Sequence, residues 1–307
     1  MLPIFLKTLP FFGLIGLGWL AGRVRFFPAE ATAWLTRFVF YFALSAMLFR
    51  LAAGLDISRL FDPAFVAAYV IASGALWVAC FALSRRRGQP VPDAAMQAQA
   101  SMTGNTGFLG VPMLVMILGD AAIGPVMIVL TLDMIVFSTL ITLVISATRR
   151  GKGGLGGVAT TLGGIVANPM IVSMVAGLLW SAFRLPMPVP FHDFLTLLGS
   201  AATPGALFAI GASLAARSIG RVGPAIQISA AKLIVHPLLC FAACRAFGVA
   251  PGPAGVMIAA AALPVAGNVY ILAHHFGVAQ QRVSASILIS TAVSIATVPI
   301  IIHYVAN

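Results

Sequence analysis

Two stretches of this sequence bring glycine, asparagine and proline together inside otherwise apolar runs. Gln99 to Leu114 reads QASMTGNTGFLGVPML, with Gly104, Asn105, Thr106, Gly107, Gly110 and Pro112. Ala261 to Ala273 reads AALPVAGNVYILA, with Pro264, Gly267, Asn268 and Tyr270. Proline removes a backbone donor and clashes with the preceding turn, and glycine loosens a helix. A helix broken there presents free N–H groups and the positive end of its dipole. Asn105 and Asn268 add side-chain amides at matching depth. Amides and helix ends, rather than many fixed charges, suit a monovalent or small divalent carboxylate.

Two charges fall in the middle of apolar runs, Asp133 and Lys232. Insertion scales charge roughly 2.5–3.5 kcal/mol for such a residue at the bilayer centre, so it is usually paired or lines a cavity. Asp133 is a candidate for taking up a coupling ion, H+ or Na+. Lys232 is a candidate for setting the field at an anion site or replacing a coupling cation. His236, one turn after Lys232, is a further coupling candidate because histidine can titrate near neutral pH; a hydrogen-bonded packing histidine is the alternative, and the one the residues favour. A mutual ion pair that only stabilises the fold is the alternative for the two charges. No paired membrane acids, Ser/His couple or metal spacing appears, so no catalytic, cofactor or metal residue is assigned and an enzyme is not expected. Cys80, Cys240 and Cys244 lie inside apolar runs and read as small packing residues.

The elements that must position these residues are membrane helices. Of 307 residues, 61% are hydrophobic and 8% charged, too few charges to coat a soluble domain. About 20 apolar residues cross a bilayer core. Ten segments meet this length, near 3–22, 34–53, 63–84, 94–118, 121–147, 160–182, 193–216, 222–247, 253–276 and 283–305. Their continuous runs exclude barrel strands. The net charge of +11 comes from short basic clusters between the runs and not from a nucleic-acid-binding stripe. One set of loops holds Arg23, Arg25, Arg37, Arg85, Arg86, Arg87, Arg149, Arg150, Lys152, Arg217, Arg221 and Arg282. The other holds only Lys7, Arg50, Arg59, Arg184 and Arg245. The richer set belongs in the cytoplasm, which puts both termini on the periplasmic or extracellular side of the inner membrane.

The chain reads as two halves, 1–150 and 158–307, joined by the glycine-rich stretch 151–157. ALSAMLF (Ala43 to Phe49) aligns with ATPGALF (Ala202 to Phe208), and GNTGFLG (Gly104 to Gly110) with GNVYILA (Gly267 to Ala273). Five helices per half is an odd number, so the second copy is inverted, as in secondary transporters. Gly18 and Gly22 could pack segment one against a neighbour or a partner subunit.

NTGFLGVP (Asn105 to Pro112), ANPMIVSMVAGLL (Ala167 to Leu179), ATPGALFAIGASL (Ala202 to Leu214), KLIVHPLL (Lys232 to Leu239) and LPVAGNVYILA (Leu263 to Ala273) resemble the auxin efflux carrier family. That family includes bacterial malonate and malate permeases, and the resemblance covers essentially the whole chain. It implies an all-α fold of ten transmembrane helices related to the sodium/bile-acid symporters, with segments four and nine broken and crossing. Segments one, two, six and seven would be a scaffold, often dimeric; segments three to five and eight to ten would be a moving transport domain. Asn105 and Asn268 would hold a substrate carboxylate, with Gly104, Thr106, Gly107, Gly267 and Tyr270 around them, and Pro112 and Pro264 would mark the crossover. Ser45 departs from the pattern, standing where the family usually has the proline that Pro204 supplies in the other half. The expected function is alternating-access transport of a small organic anion; the alternative is a cation or proton antiporter or symporter using Asp133 and Lys232.

Overall fold

The computed structural model describes residues 2–55, 62–148, 168–215 and 222–306, and these form helices and no strand. The linker 151–157, the start of segment six and the basic residues Arg59, Arg149, Arg150, Lys152, Arg217 and Arg221 lie outside the described residues. Seven helices are long and apolar enough to cross a membrane: α1 (Leu2–Arg23), α2 (Ala29–Ala53), α3 (Pro63–Arg86), α6 (Asp120–Thr148), α8 (Val189–Ala215), α9 (Val222–Phe247) and α12 (Gln280–Ala306). Five shorter ones complete the described set: α4 (Val91–Met102), α5 (Thr106–Leu118), α7 (Pro169–Ala182), α10 (Pro251–Ala261) and α11 (Gly267–Phe276).

Local chemistry sets the helix ends. Proline occupies the first turn of α3, α4, α7 and α10, where its missing N–H costs nothing. The Asp62 side chain accepts from the Ala64 N–H at 2.9 Å, and Asn168 accepts from Met170 N–H at 3.0 Å, capping α3 and α7. Gly248 and Gly277 end α9 and α11 with φ of 67° each, a left-handed C-cap that glycine adopts without strain.

Large apolar side chains face outward all around: Trp34, Val78, Phe194, Leu197, Leu238, Ile271 and Tyr304 are each more than half exposed. A water-soluble protein rarely shows so much apolar surface, whereas lipid tails accept it. Two groups of helices share the interior. α1 packs on α8, and α2 on α7 and α8, with Gly18 against the Phe208 backbone and Gly22 against Ala212 and Ala215. The Gly18/Gly22 face is thereby taken up within the chain. The second group joins α3 to α4 and α9, α4 to α6, and α9 to α10 and α12. Buried polar residues concentrate in this second group, at Ser73, Gln97, Gln99, Ser101, Asp133, Ser229, Lys232, His236, Ser286, Ser290 and Ser294.

Candidate functional site

Both glycine- and proline-bearing stretches are interrupted. Residues 103–105 separate α4 from α5, and 262–266 separate α10 from α11. The two breaks pair with each other as a short antiparallel bridge between Gly104 and Val265. Asn105 N–H donates to Pro264 O at 2.9 Å, and Ala266 N–H donates to Thr103 O at 3.1 Å. Val265 N–H donates to Ser290 Oγ on α12 at 3.0 Å. Backbone groups released by two broken helices in a buried place need partners. Here each break supplies partners for the other, and a serine accepts a further donor, the Val265 N–H.

The sequence singled out Gly104 for its flexibility, and packing adds a second reason. A side chain there would meet Ala260 O at 3.1 Å and Lys232 Cε and Nζ at 3.2 Å. Gly107 admits Met170 of α7, and Gly110 admits Leu263. Open space lies beside Gly267, where an added Cβ would meet no atom within 4 Å. Neither α5 nor α11 has a side-chain cap at its start. Asn105, 6% exposed, stands at the first of these starts without capping it. Asn268 stands at the second, and its Oδ1 is buried without a partner. Thr106 is buried, its hydroxyl 3.5 Å from Gly104 O. Tyr270, partly buried in the first turn of α11, packs near His274, with ring centroids 6.3 Å apart.

The prolines differ in place. Pro264 lies within its break and supplies the accepting carbonyl. Pro112 lies inside α5, after the five-residue π turn Thr106–Gly110. A wider turn there relieves the clash of the proline ring with the preceding carbonyls, so Pro112 is accommodated inside the helix and the break falls earlier, at the glycine.

Beside the paired breaks, α3, α6 and α9 bury a polar row. Tyr69 OH donates to Asp133 Oδ1 at 2.7 Å. Ser73 Oγ and His236 Nε2 are 2.9 Å apart, and Lys232 Nζ and His236 Nδ1 3.2 Å. Lys232 Nζ also donates to Ala261 O, the last carbonyl of α10. Asp133 Oδ2 is buried without a partner. All five side chains are at most 1% exposed. Asp133 and Lys232 make no direct ion pair; Tyr69, Ser73 and His236 stand between them. Asp133 opens one π turn and Lys232 lies in another. Such bulges turn single side chains out of helical register and recur at functional positions.

Tyr69, Ser73 and Ser290 were not singled out by sequence. Tyr69 and Ser73 stand one turn apart on α3, and Ser286, Ser290 and Ser294 recur every four residues on α12, a polar stripe in an apolar helix that marks an inward face. A separate cavity of about 420 Å³ lies where the start of α4 meets the α11–α12 turn, lined by Asp93, Gly277, Ala279 and Arg282. Its carboxylate is engaged, Asp93 Oδ1 accepting from Ala279 N–H at 3.2 Å.

A lipid-facing helical bundle with a buried polar centre at interrupted helices has the build of a membrane transport protein. A family model described as "Membrane transport protein" matches residues 3–154 and 159–302. The chain belongs to that family, the auxin efflux carriers. It is 34% identical over 305 residues, 98% of this chain and 95% of the other, to a Rhizobium meliloti (strain 1021) protein named "Putative malonate transporter". It is 24% identical over 312 residues, 99% of this chain and 98% of the other, to "Uncharacterized transporter YfdV" of Escherichia coli (strain K12).

Proposed function

We propose that the protein is a secondary carrier of a small mono- or dicarboxylate in the inner membrane, with the anion seated at the paired breaks. The observation that carries this is the meeting of two helix starts without a side-chain cap, each with an asparagine beside it. Helix N-termini and amide donors favour carboxylates. The malonate named for the Rhizobium relative makes malonate the first substrate to try.

Counting α4 with α5, and α10 with α11, as one interrupted span each gives ten spans, arranged in this reading as two inverted five-helix repeats whose interrupted members cross. The packing supports a scaffold of α1, α2, α7 and α8 and a transport domain of the remaining helices. Phe40 of α2 stacks on Phe108 of α5, ring centroids 6.4 Å apart, where the scaffold would border the seat. Alternating access then moves the transport domain along this wall, and two scaffolds can pair as a homodimer. A coupling ion, H+ or Na+, acts through Asp133 and Lys232; the burial of both charges favours this second role.

Uptake of labelled malonate and malate into proteoliposomes tests the reading. A hydrogen bond to a charged group contributes about 1.5–3 kcal/mol, so Asn105→Ala and Asn268→Ala should each weaken binding about 10- to 100-fold. Wild-type uptake that both variants reproduce would remove the breaks from the mechanism.

A further inference from the structure

The buried row beside the breaks has a direction. An ammonium can only donate, so Lys232 gives a proton to His236 Nδ1 at 3.2 Å and the imidazole proton sits on Nε2. Nε2–H then donates to Ser73 Oγ at 2.9 Å. Ser73 and Tyr69 stand one turn apart on α3, and the serine hydroxyl interacts with the phenol, joining the two hydrogen-bonded ends of the row. The phenol donates to Asp133 Oδ1 at 2.7 Å. On both sides of the Ser73–Tyr69 step the donors point from Lys232 toward Asp133.

We propose that this row is the binding site of a coupling proton, shared between Asp133 and Lys232 through Tyr69, Ser73 and His236. The proposal rests on the carrier reading above and names its coupling ion. Start with an ammonium and a carboxylate. One proton passes from Lys232 Nζ to His236 Nδ1, and the Nε2 proton passes to Ser73 Oγ. The serine proton passes to the Tyr69 oxygen, and the phenol proton to Asp133 Oδ1. The products are a neutral amine, a neutral carboxylic acid and the other histidine tautomer, with total charge unchanged. A proton arriving from water at either end then yields one product, an ammonium with an undissociated acid. In that product no carboxylate offsets Lys232. The ammonium lies against Gly104, at the edge of the anion seat. A buried charge without a counter-charge is costly, and an anion at the breaks supplies one. Proton and anion therefore bind together.

The titratable groups facing the row are Tyr69 on α3, Asp133 on α6, and His236, Lys232 and Cys240 on α9. α10 contributes the Ala261 carbonyl. α12, also packed on α9, carries Arg282, His303 and Tyr304 near its ends, and α4 carries Asp93 in its first turn.

Two measurements test this. In proteoliposomes, malonate exchange is compared with accumulation driven by an imposed proton gradient. Exchange cycles the loaded carrier and needs no proton release; accumulation needs it. Ser73→Ala and Tyr69→Phe should lower accumulation roughly tenfold more than exchange, the weight of one charge-assisted hydrogen bond, and Ser73→Thr should restore it. In detergent, infrared titration follows the C=O stretch of the protonated Asp133 carboxyl, identified by its loss in Asp133→Asn. Ser73→Ala and His236→Gln, which do not touch Asp133, should move its midpoint by about one pH unit. Unimpaired accumulation in Ser73→Ala and Tyr69→Phe overturns the proposal, as does a wild type that exchanges malonate but ignores the gradient. If no carboxylate is exchanged, the carrier reading falls instead, and the infrared midpoint judges the row alone: unmoved in both variants, it overturns it.

Discussion

At the scale of single residues, Gly104 joins the two halves of the chemistry. Its bare Cα lets the Lys232 ammonium stand next to a helix break, with Ala260 O on the other side. Both neighbours are at 3.1–3.2 Å from an added Cβ, and one is backbone that cannot move freely. Gly104→Ala should therefore displace Lys232 and cost about 1–3 kcal/mol of stability. The measurement is thermal unfolding of the detergent-solubilised protein, with malonate titrated against it to see whether the ligand-induced stabilisation shrinks. Unchanged melting and unchanged stabilisation would show that Lys232 has no fixed place at the break.

At the scale of elements, the breaks persist because their backbone groups are satisfied across two chain segments and α12. Ser290 Oγ, itself fully buried, accepts the Val265 N–H. Ser290→Ala leaves that donor orphaned in a dry interior, and the expected loss is about 1–3 kcal/mol, read by thermal unfolding. Ser290→Thr keeps the acceptor and should retain most of the stability. α1 and α8 approach by a different device. Gly18 lies on the Phe208 carbonyl and Gly211 on the Ile15 carbonyl, so close that neither accommodates a Cβ. Gly211→Ala should disrupt this pair more than Gly13→Ala, whose added methyl meets no atom within 4 Å. Comparing the yield of monodisperse protein for the two variants checks it.

At the scale of the whole molecule, the basic loops set orientation. Arg85, Arg86 and Arg87 end α3, while Gly248 follows α9. Under the positive-inside rule the first lies in the cytoplasm and the second outside. In a variant lacking Cys80, Cys240 and Cys244, a cysteine replacing Arg87 should be labelled by a membrane-impermeant reagent only in inside-out vesicles, and one replacing Gly248 only in right-side-out vesicles. The opposite pattern would invert the assigned topology.

Composition, run length and the punctuation of glycine and proline made the membrane class, the helix positions and the two interruptions legible, because each follows from local rules: apolar length for a span, lost donors for a break. The buried depth of Asn105, Asp133 and Lys232 was likewise implied by their place in apolar runs. Tertiary structure alone decided which groups meet. No local rule says that Gly104 pairs with Val265, that Ser290 satisfies the freed N–H, or that Tyr69 and Ser73 stand between Asp133 and Lys232. Nor does local sequence say that Pro112 stays inside a helix while the break falls earlier, at the glycine. These are contacts between residues far apart in the chain, and their geometry is fixed only when the helices are packed together.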